Sequence, residues 1–257
     1  MNFMKRLAKG FYMALGMFWA VPLPVQIWDD KSMSLMMSFF PVVGGLIGAL
    51  WWGTAELLAF GGVHIILVAA VLAVFPFFLT GFLHLDGYMD TSDAVLSRRP
   101  LEDKLRILKD PHAGAFAVIM AAVLFMMQFA ALYVIVETGE YFVILVIITV
   151  VSRCAAAMSI YCLKPMEQSG YATMFKQNTG VPHKIFIIIL TGIALALAFF
   201  LAGIYGIIVS AAVIAGYIGA MAYAYRDFKG TSGDLTGYSL VIGELCGLVA
   251  LAVVGGI

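Results

Sequence analysis

Residues 66–99 read ILVAAVLAVFPFFLTGFLHLDGYMDTSDAVLSRR, a mostly apolar run that ends in Asp86, Asp90 and Asp93. A helix needs about 20 apolar residues to cross a hydrocarbon core roughly 30 Å thick, and the first part of this stretch supplies them. Carboxylates are costly inside that core and are expected at its edge. The stretch therefore predicts a transmembrane helix that brings acidic side chains to a membrane surface.

The composition of the whole chain agrees with this prediction. Of its 257 residues, 63% are apolar and 12% are charged, against roughly 45–50% and about 25% in soluble domains. We expect an all-α, polytopic integral membrane protein that forms a single domain over 1–257. The apolar windows predict about seven transmembrane helices, at 35–58, 65–85, 113–136, 141–163, 185–203, 205–225 and 236–256. The stretch 11–25 is short and holds two prolines, which favours a re-entrant or interfacial helix.

The basic residues divide the loops into two sets. Fourteen of the 15 Lys and Arg residues fall in four segments that this topology places on one side. These segments are 1–34, 86–112, 164–184 and 226–235. Lys and Arg are retained on the cytoplasmic side of membranes. The charge pattern therefore predicts that the three aspartates face the cytoplasm.

The spacing of the acids suggests a cation site. If the helix that begins at residue 65 continues, Asp86, Asp90 and Asp93 stand at i, i+4 and i+7, within about 60° of one another. Like charges so placed repel, so a divalent cation or open water must stabilise them. Oxygen ligands suit Mg²⁺ or Mn²⁺. Gly87 leaves room for a close approach of backbone or ligand, and the alternative is that these are ordinary solvated acids.

The segment that follows, RRPLEDKLRILKDPHAGAF (98–116), is strongly basic. Arg98, Arg99 and Arg106 could supply the counter-charge that a polyphosphate needs. Contact with lipid head groups is the alternative for each of them. Asp110 and Gly114 repeat the acid-and-glycine pattern where the next span begins.

The last loop, RDFKGTSGDLTGYSLVIGE (226–244), leads into the final helix. Gly233 and Gly237 flank Asp234. Glycine-rich backbone at a helix N-terminus presents N–H groups to an anion. We therefore expect a phosphate-binding loop, with a simple N-cap role for Asp234 as the alternative.

Two further residues stand out by their position. Arg153 lies inside a predicted span, where charge is by default a functional hypothesis. Glu56 and Glu244 are its acidic counterparts in other spans, so a structural Arg–Glu clamp is the other interpretation. His84 precedes Asp86 by two residues, and it is either a buried structural residue or part of the entrance to a pocket.

Taken together, these motifs resemble the cobalamin synthases, also called adenosylcobinamide-GDP ribazoletransferases. The resemblance covers essentially the whole chain. The stretches that carry it are FPVVGGLIGAL (40–50), LTGFLHLDGYMDTSDAVLS (79–97), ILKDPHAGAF (107–116) and GTSGDLTGYSLVIGE (230–244). The chain departs from the family at Phe82, where a second glycine is common, and at Pro111-His112, where Ser-Arg is usual.

The resemblance implies a phosphotransfer that closes the nucleotide loop of vitamin B12. A ribose hydroxyl of α-ribazole, or of its 5′-phosphate, attacks adenosylcobinamide-GDP and expels GMP. The implied metal is Mg²⁺ on Asp86, Asp90, Asp93, Asp110 and Asp234, with Asp93 or Asp110 as proton acceptor. The implied substrate contacts are His84, Gly87, Arg98, Arg99, Arg106, Arg153, Gly233 and Gly237. The implied location is a prokaryotic cytoplasmic (inner) membrane, with membrane lipid but no nucleic acid as a partner.

Four alternatives fit less well. A CDP-alcohol phosphotransferase has paired acids before its Asp-Gly, whereas only His84 and Leu85 precede Asp86 here. An acidic prenyltransferase needs a second acid-rich loop, and Asp234 alone supplies little. A cation transporter predicts charges near mid-membrane and paired halves of the chain, whereas these acids gather at one surface. A non-catalytic scaffold leaves the acidic face unexplained.

Overall fold

The computed structural model describes residues 3–139, 142–167, 169–177 and 179–255, and these ranges are helices joined by loops. A short 3₁₀ turn, Asp30–Ser32, precedes the second helix. The helices are α1 (Phe3–Phe18), α2 (Met33–Ser38), α3 (Phe40–Phe60), α4 (Ile65–Leu79), α5 (Leu83–Leu96), α6 (Leu101–Ile107), α7 (Ala115–Thr138), α8 (Ile144–Cys162), α9 (Gly170–Lys176), α10 (Val181–Phe228) and α11 (Gly233–Gly255).

Several helices are long and apolar enough to cross a membrane. Among the described residues there are five such spans: α2 and α3 together, α7, α8, α10 and α11. The bent pair of α4 and α5 would add a sixth. The helix α1 is not among them. These observations confirm the all-α, polytopic class, while the predicted number of seven crossings stays a prediction.

The long helix α10 is a hairpin of two arms. Ala202 and Gly203 have non-helical backbone angles, with φ +57° at Gly203. A Cβ placed on Gly206 would collide with the backbone of Ala198, although residues eight apart in a straight helix are about 12 Å apart. The chain therefore turns back at 202–203, and its two arms correspond to the predicted spans at 185–203 and 205–225.

The expectation of one continuous helix from residue 65 through the aspartates is wrong. The axis turns by 94° between α4 and α5. Gly81 and Phe82 both adopt left-handed backbone angles, φ +59° and +63°, and these turn the chain roughly perpendicular to α4. The aspartates keep their helical spacing on α5, but α5 crosses the end of the bundle instead of extending α4.

Glycines allow the central helix α8 to pack closely against its neighbours. A Cβ on Gly44 of α3 would lie 2.7 Å from the carbonyl oxygen of Thr149, and one on Gly48 would lie 2.6 Å from Cα of Val146. On the opposite face, Gly247 of α11 contacts Ile148. Small residues at such spacing let membrane helices approach until their backbones touch. The bundle formed in this way supports α5 and the start of α11.

Candidate functional site

The site is built where α5 crosses the N-terminal turn of α11. A Cβ on Gly87 would lie 2.9 Å from both Cα and the carbonyl oxygen of Asp234, and one on Gly237 would lie 3.3 Å from the carbonyl oxygen of His84. The rings of Tyr88 and Tyr238 stack beside this crossing, 5.8 Å between centroids. The two glycines therefore bring the acid of the last helix next to the acids of α5.

Four carboxylates share the electrostatic environment at this crossing. Asp86 is exposed in the first turn of α5, while Asp90, Asp93 and Asp234 are half-buried. Burial raises the pKa of Asp90, and the charges of Asp86, Asp234 and Asp93 add to the rise, which reaches about 6. Asp234, which is far away in sequence, thus contributes less to this rise than Asp86 and more than Asp93.

The donor chemistry of this group fits a hard divalent cation. Within the described ranges, no three His, Cys, Asp or Glu side chains are close enough to hold a metal ion by themselves. Mg²⁺, however, usually binds through one or two carboxylates and completes its shell with water and substrate phosphates. The carboxylate oxygens of α5 and α11 match that mode of binding better than a closed protein cage.

Asp93 is held in place by the next helix. Its Oδ1 accepts hydrogen bonds from the backbone N–H groups of Phe116 (3.2 Å) and Ala117 (3.3 Å), in the first turn of α7. Its carboxylate lies so close to Gly114 that a side chain at that position would collide with it. Asp93 therefore joins α5 to the N-terminal turn of α7 through two backbone hydrogen bonds.

The glycine-rich loop before α11 is fixed by backbone pairing. Met166 N–H donates to the carbonyl of Thr231 and Thr231 N–H donates to the carbonyl of Lys164, both at 2.9 Å. Ser232 Oγ accepts from the N–H of Leu235 at 3.2 Å. Ser232 thus fills the capping role that sequence reasoning offered to Asp234 as an alternative. The Asp234 carboxylate accepts a hydrogen bond from Ser232 Oγ at 3.5 Å.

Asp110 lies apart from this group. Its side chain is 53% exposed, and its Oδ1 contacts His112 Nδ1 at 2.8 Å. The backbone N–H of His112 also donates to that oxygen, and this hydrogen bond is the main reason why the pKa of Asp110 is lowered. Asp110 is not among the carboxylates that raise the pKa of Asp90. Its predicted metal or base role stays a prediction.

The three arginines of the basic segment are exposed. Arg98 and Arg99 follow α5, and Arg106 on α6 pairs with Asp103 at 3.2 Å. Lys104 anchors α6 to the end of α10 through Asp227, at 2.5 Å. In the part of the chain that the structure describes, no hydrogen bond or ion pair joins these arginines to the acids of α5 and α11, so their phosphate roles stay predictions.

One cation near the site was not singled out by sequence reasoning. Lys109 lines a small cavity of about 70 Å³ together with Ser232 and Asp234. In the sequence it is one of five basic residues between 98 and 109. Nothing in that pattern distinguishes it, because the fold of α6 against the last loop decides which of the five reaches Asp234.

Arg153 forms a buried clamp with the final helix. It is 1% exposed, and its Nη1 lies 2.6 Å from Glu244 Oε1. The same carboxylate oxygen accepts from Ser152 Oγ at 2.9 Å. Arg153 and Glu244 thus form a buried ion pair between α8 and α11, as the structural interpretation of Arg153 expected. A phosphate contact for Arg153 stays a prediction. Glu56 lies elsewhere, exposed and bonded to Trp52 Nε1 at 2.9 Å.

His84 is buried between aromatic rings. Its ring centroid lies 5.6 Å from that of Phe40 and 6.4 Å from that of Phe18. Its Nε2 has no hydrogen-bond partner among the described residues. A buried nitrogen without a partner normally costs about 1–3 kcal/mol, so this atom is available to a ligand or water at the start of α5.

Comparison with known proteins identifies relatives along nearly the whole chain. Residues 10–252 match the family model described as cobalamin-5-phosphate synthase. The chain is 37% identical over 252 residues to the adenosylcobinamide-GDP ribazoletransferase of Clostridium perfringens, covering 98% of this chain and 100% of that protein. It is 36% identical over 245 residues to the protein of the same name from Clostridium botulinum, covering 95% and 97%. No solved structure matches the chain.

Proposed function

The chain belongs to the cobalamin-5-phosphate synthase family, and we propose that it joins α-ribazole or its 5′-phosphate to adenosylcobinamide-GDP. It is a transferase of cobalamin biosynthesis, as the names of its relatives indicate. The observation that carries the finer proposal is the packing of Gly87 on α5 directly against the backbone of Asp234 on α11. It ties acids of two distant segments into one group at the end of the bundle.

The reaction replaces a phosphoanhydride bond of the diphosphate with a new phosphate ester bond. A ribose hydroxyl of the ribazole attacks the phosphorus atom that bears the cobinamide, and the new P–O bond replaces the bond to GMP. GMP leaves with the bridging oxygen, and the hydroxyl proton must be accepted by a base. Such reactions depend mainly on positioning and on neutralisation of charge.

Asp86, Asp90 and Asp234 are the residues that would hold Mg²⁺ at the diphosphate. When bound, the ion neutralises negative charge on the reacting and departing phosphates. Asp93 is the better proton acceptor of the two predicted ones. One of its oxygens is fixed by α7 and the other is left for a hydroxyl, whereas Asp110 lies exposed beside His112.

The surrounding groups would position the phosphates. Gly233 is exposed at the start of α11, where backbone N–H groups and the helix dipole favour an anion. Lys109 lines the same small cavity as Asp234, and Arg98 follows the end of α5; both would serve as counter-charge. We place this end of the bundle at the cytoplasmic face of a prokaryotic inner membrane, because 14 of the 15 basic residues are in segments on that side.

The direct test measures GMP release by the purified protein in nanodiscs. We expect release from adenosylcobinamide-GDP only when a ribazole substrate and Mg²⁺ are both present. Asp86→Asn should reduce the rate by about 10²–10³-fold, the range for removing one preorganised electrostatic contact to a reacting group. The reason is that an amide cannot replace the negative charge that holds the cation.

The matched control is Glu102→Gln, which removes an exposed carboxylate on α6. This variant should release GMP at the wild-type rate. A fully active Asp86→Asn protein would remove the metal role assigned to Asp86. Release of GMP without any ribazole would show a hydrolase instead of a transferase.

A further inference from the structure

A groove that the proposed chemistry does not use runs along the outside of the bundle. It has a volume of about 810 Å³ and lies between α8 and the two arms of α10. Ile188 and Ile218, one on each arm, line it and are 60% and 59% exposed. The groove therefore opens to the surface that faces the membrane, and its wall is almost entirely apolar.

One end of the groove carries positive charge. Arg226 lies in its wall and is exposed, and it makes no ion pair among the described residues. The neighbouring Asp227 is occupied by Lys104. On the other arm of α10, Lys184 precedes Ile188 by one helical turn and shares its face. Arg226 is thus the cation in the groove wall, and Lys184 lies one turn before a residue of the other wall.

That end lies at the same side of the bundle as the acidic group. Arg226 is close to the C-terminus of α10, and the loop before α11 follows directly. The rest of the groove extends along membrane-spanning helices, so hydrocarbon and not water surrounds it. An apolar space of this size in that layer is suited to an acyl chain, whose charged headgroup would remain at the boundary.

We propose that the groove binds one anionic phospholipid, with an acyl chain between α8 and the arms of α10 and the phosphate against Arg226. The acyl chains of all phospholipids are as apolar as the groove wall, so the acyl chain alone does not select one lipid over another. Selectivity comes from the headgroup, since basic pockets between membrane helices on the cytoplasmic side bind anionic lipid head groups. The site is independent of the phosphotransfer and can be tested without turnover.

Two glycines provide a matched pair of variants. Gly192 lines the groove and Gly219 does not, and a Cβ at either position meets no heavy atom within 4 Å. Gly192→Leu therefore extends a side chain into the groove from a position where Cβ meets no neighbour, while Gly219→Leu adds the same side chain to the outer surface of the second arm. Both changes favour the helix, because Leu has a higher helix propensity than Gly.

The experiment is native mass spectrometry of protein released from nanodiscs of mixed phosphatidylglycerol and phosphatidylcholine. Wild type and Gly219→Leu should each retain one phosphatidylglycerol, and Gly192→Leu should retain none. Arg226→Gln should lower the preference for phosphatidylglycerol by about fivefold, the value expected for one cation at an anionic headgroup.

Three results would overturn the proposal. Equal retention by Gly192→Leu and wild type would mean that the lipid binds elsewhere. An unchanged preference in Arg226→Gln would remove the headgroup contact. Unchanged lipid retention in Gly192→Leu, together with a higher KM for adenosylcobinamide-GDP, would make the groove a passage for substrate.

Discussion

At the scale of single residues, Phe82 lies in the turn that sets the direction of α5 relative to α4. It has φ +63°, a left-handed conformation that costs a non-glycine residue roughly 1–2 kcal/mol. This is the position where the related family commonly has a second glycine. The ring of Phe82 contacts that of Phe78, 4.9 Å between centroids, and this contact offsets part of the strain.

Substitution of Phe82 separates the backbone strain from the ring contact. Phe82→Ala and Phe82→Gly both remove the ring, but only glycine relieves the left-handed conformation. We expect Phe82→Gly to be more stable than Phe82→Ala by about 1 kcal/mol, measured as thermal unfolding in detergent. An alanine variant as stable as the glycine variant would show that the turn is not strained.

Asp90 makes the stability of the cation-free protein depend on pH. Its pKa is about 6 in the fold and 3.8 ordinarily, so the folded protein holds the proton more tightly than the unfolded chain. This contribution to stability is present below about pH 4 and is lost as the pH rises through about 6.

Asp90→Asn removes the charge that becomes unfavourable above pH 6. At pH 8 and without divalent cations, we expect this variant to unfold at a temperature higher than wild type by about 2–4 °C, after allowance for solvent screening. The difference should shrink at pH 4–5 and also when Mg²⁺ is added. A variant less stable than wild type at pH 8 would contradict the crowding of carboxylates around Asp90.

At the scale of the helices, the sequence predicts the positions of the helices along the chain better than the angles between them. The apolar windows identify the candidate spans and α4, whereas the re-entrant or interfacial helix expected at 11–25 overlaps α1 (Phe3–Phe18) only in part. Asp86, Asp90 and Asp93 keep the predicted spacing on α5. The 94° turn before α5 is not visible in periodicity, because LTGFL contains one glycine and no break in its apolar character. The turn depends on two consecutive left-handed residues, and no pattern of hydrophobicity encodes that conformation.

The buried ion pair between α8 and α11 is a second feature at the scale of the helices. Arg153 and Glu244 are buried together, so removing one partner leaves an uncompensated charge in the bundle. Arg153→Met should destabilise the protein by about 3–5 kcal/mol. The double variant Arg153→Met/Glu244→Gln should recover most of that loss, because no charge is then left buried.

GMP release by the double variant distinguishes the two interpretations of Arg153. If Arg153 only joins two helices, the double variant should be both folded and active. A double variant that is stable but inactive would show that the guanidinium contacts a substrate phosphate, and the structural interpretation would then be wrong.

At the scale of the whole molecule, the site depends on residues that are distant in sequence. The residues of α5 could be identified as a site from their spacing alone, and the glycine-rich loop around Asp234 could be recognised separately. That the two meet follows from Gly87 lying against Asp234, a contact between helices that are connected only through the rest of the bundle. The separation of Asp110 and the approach of Lys109 were not predictable for the same reason.

The most direct test is to measure the affinity for Mn²⁺ by electron paramagnetic resonance, with adenosylcobinamide-GDP present and no ribazole. If the acids of α5 and α11 form one cation site, Asp86→Asn and Asp234→Asn should each lower the affinity by about tenfold or more. Glu102→Gln, which changes an exposed carboxylate on α6, should bind like wild type. Wild-type affinity in Asp234→Asn would contradict the account, because the two helices would then not share a cation.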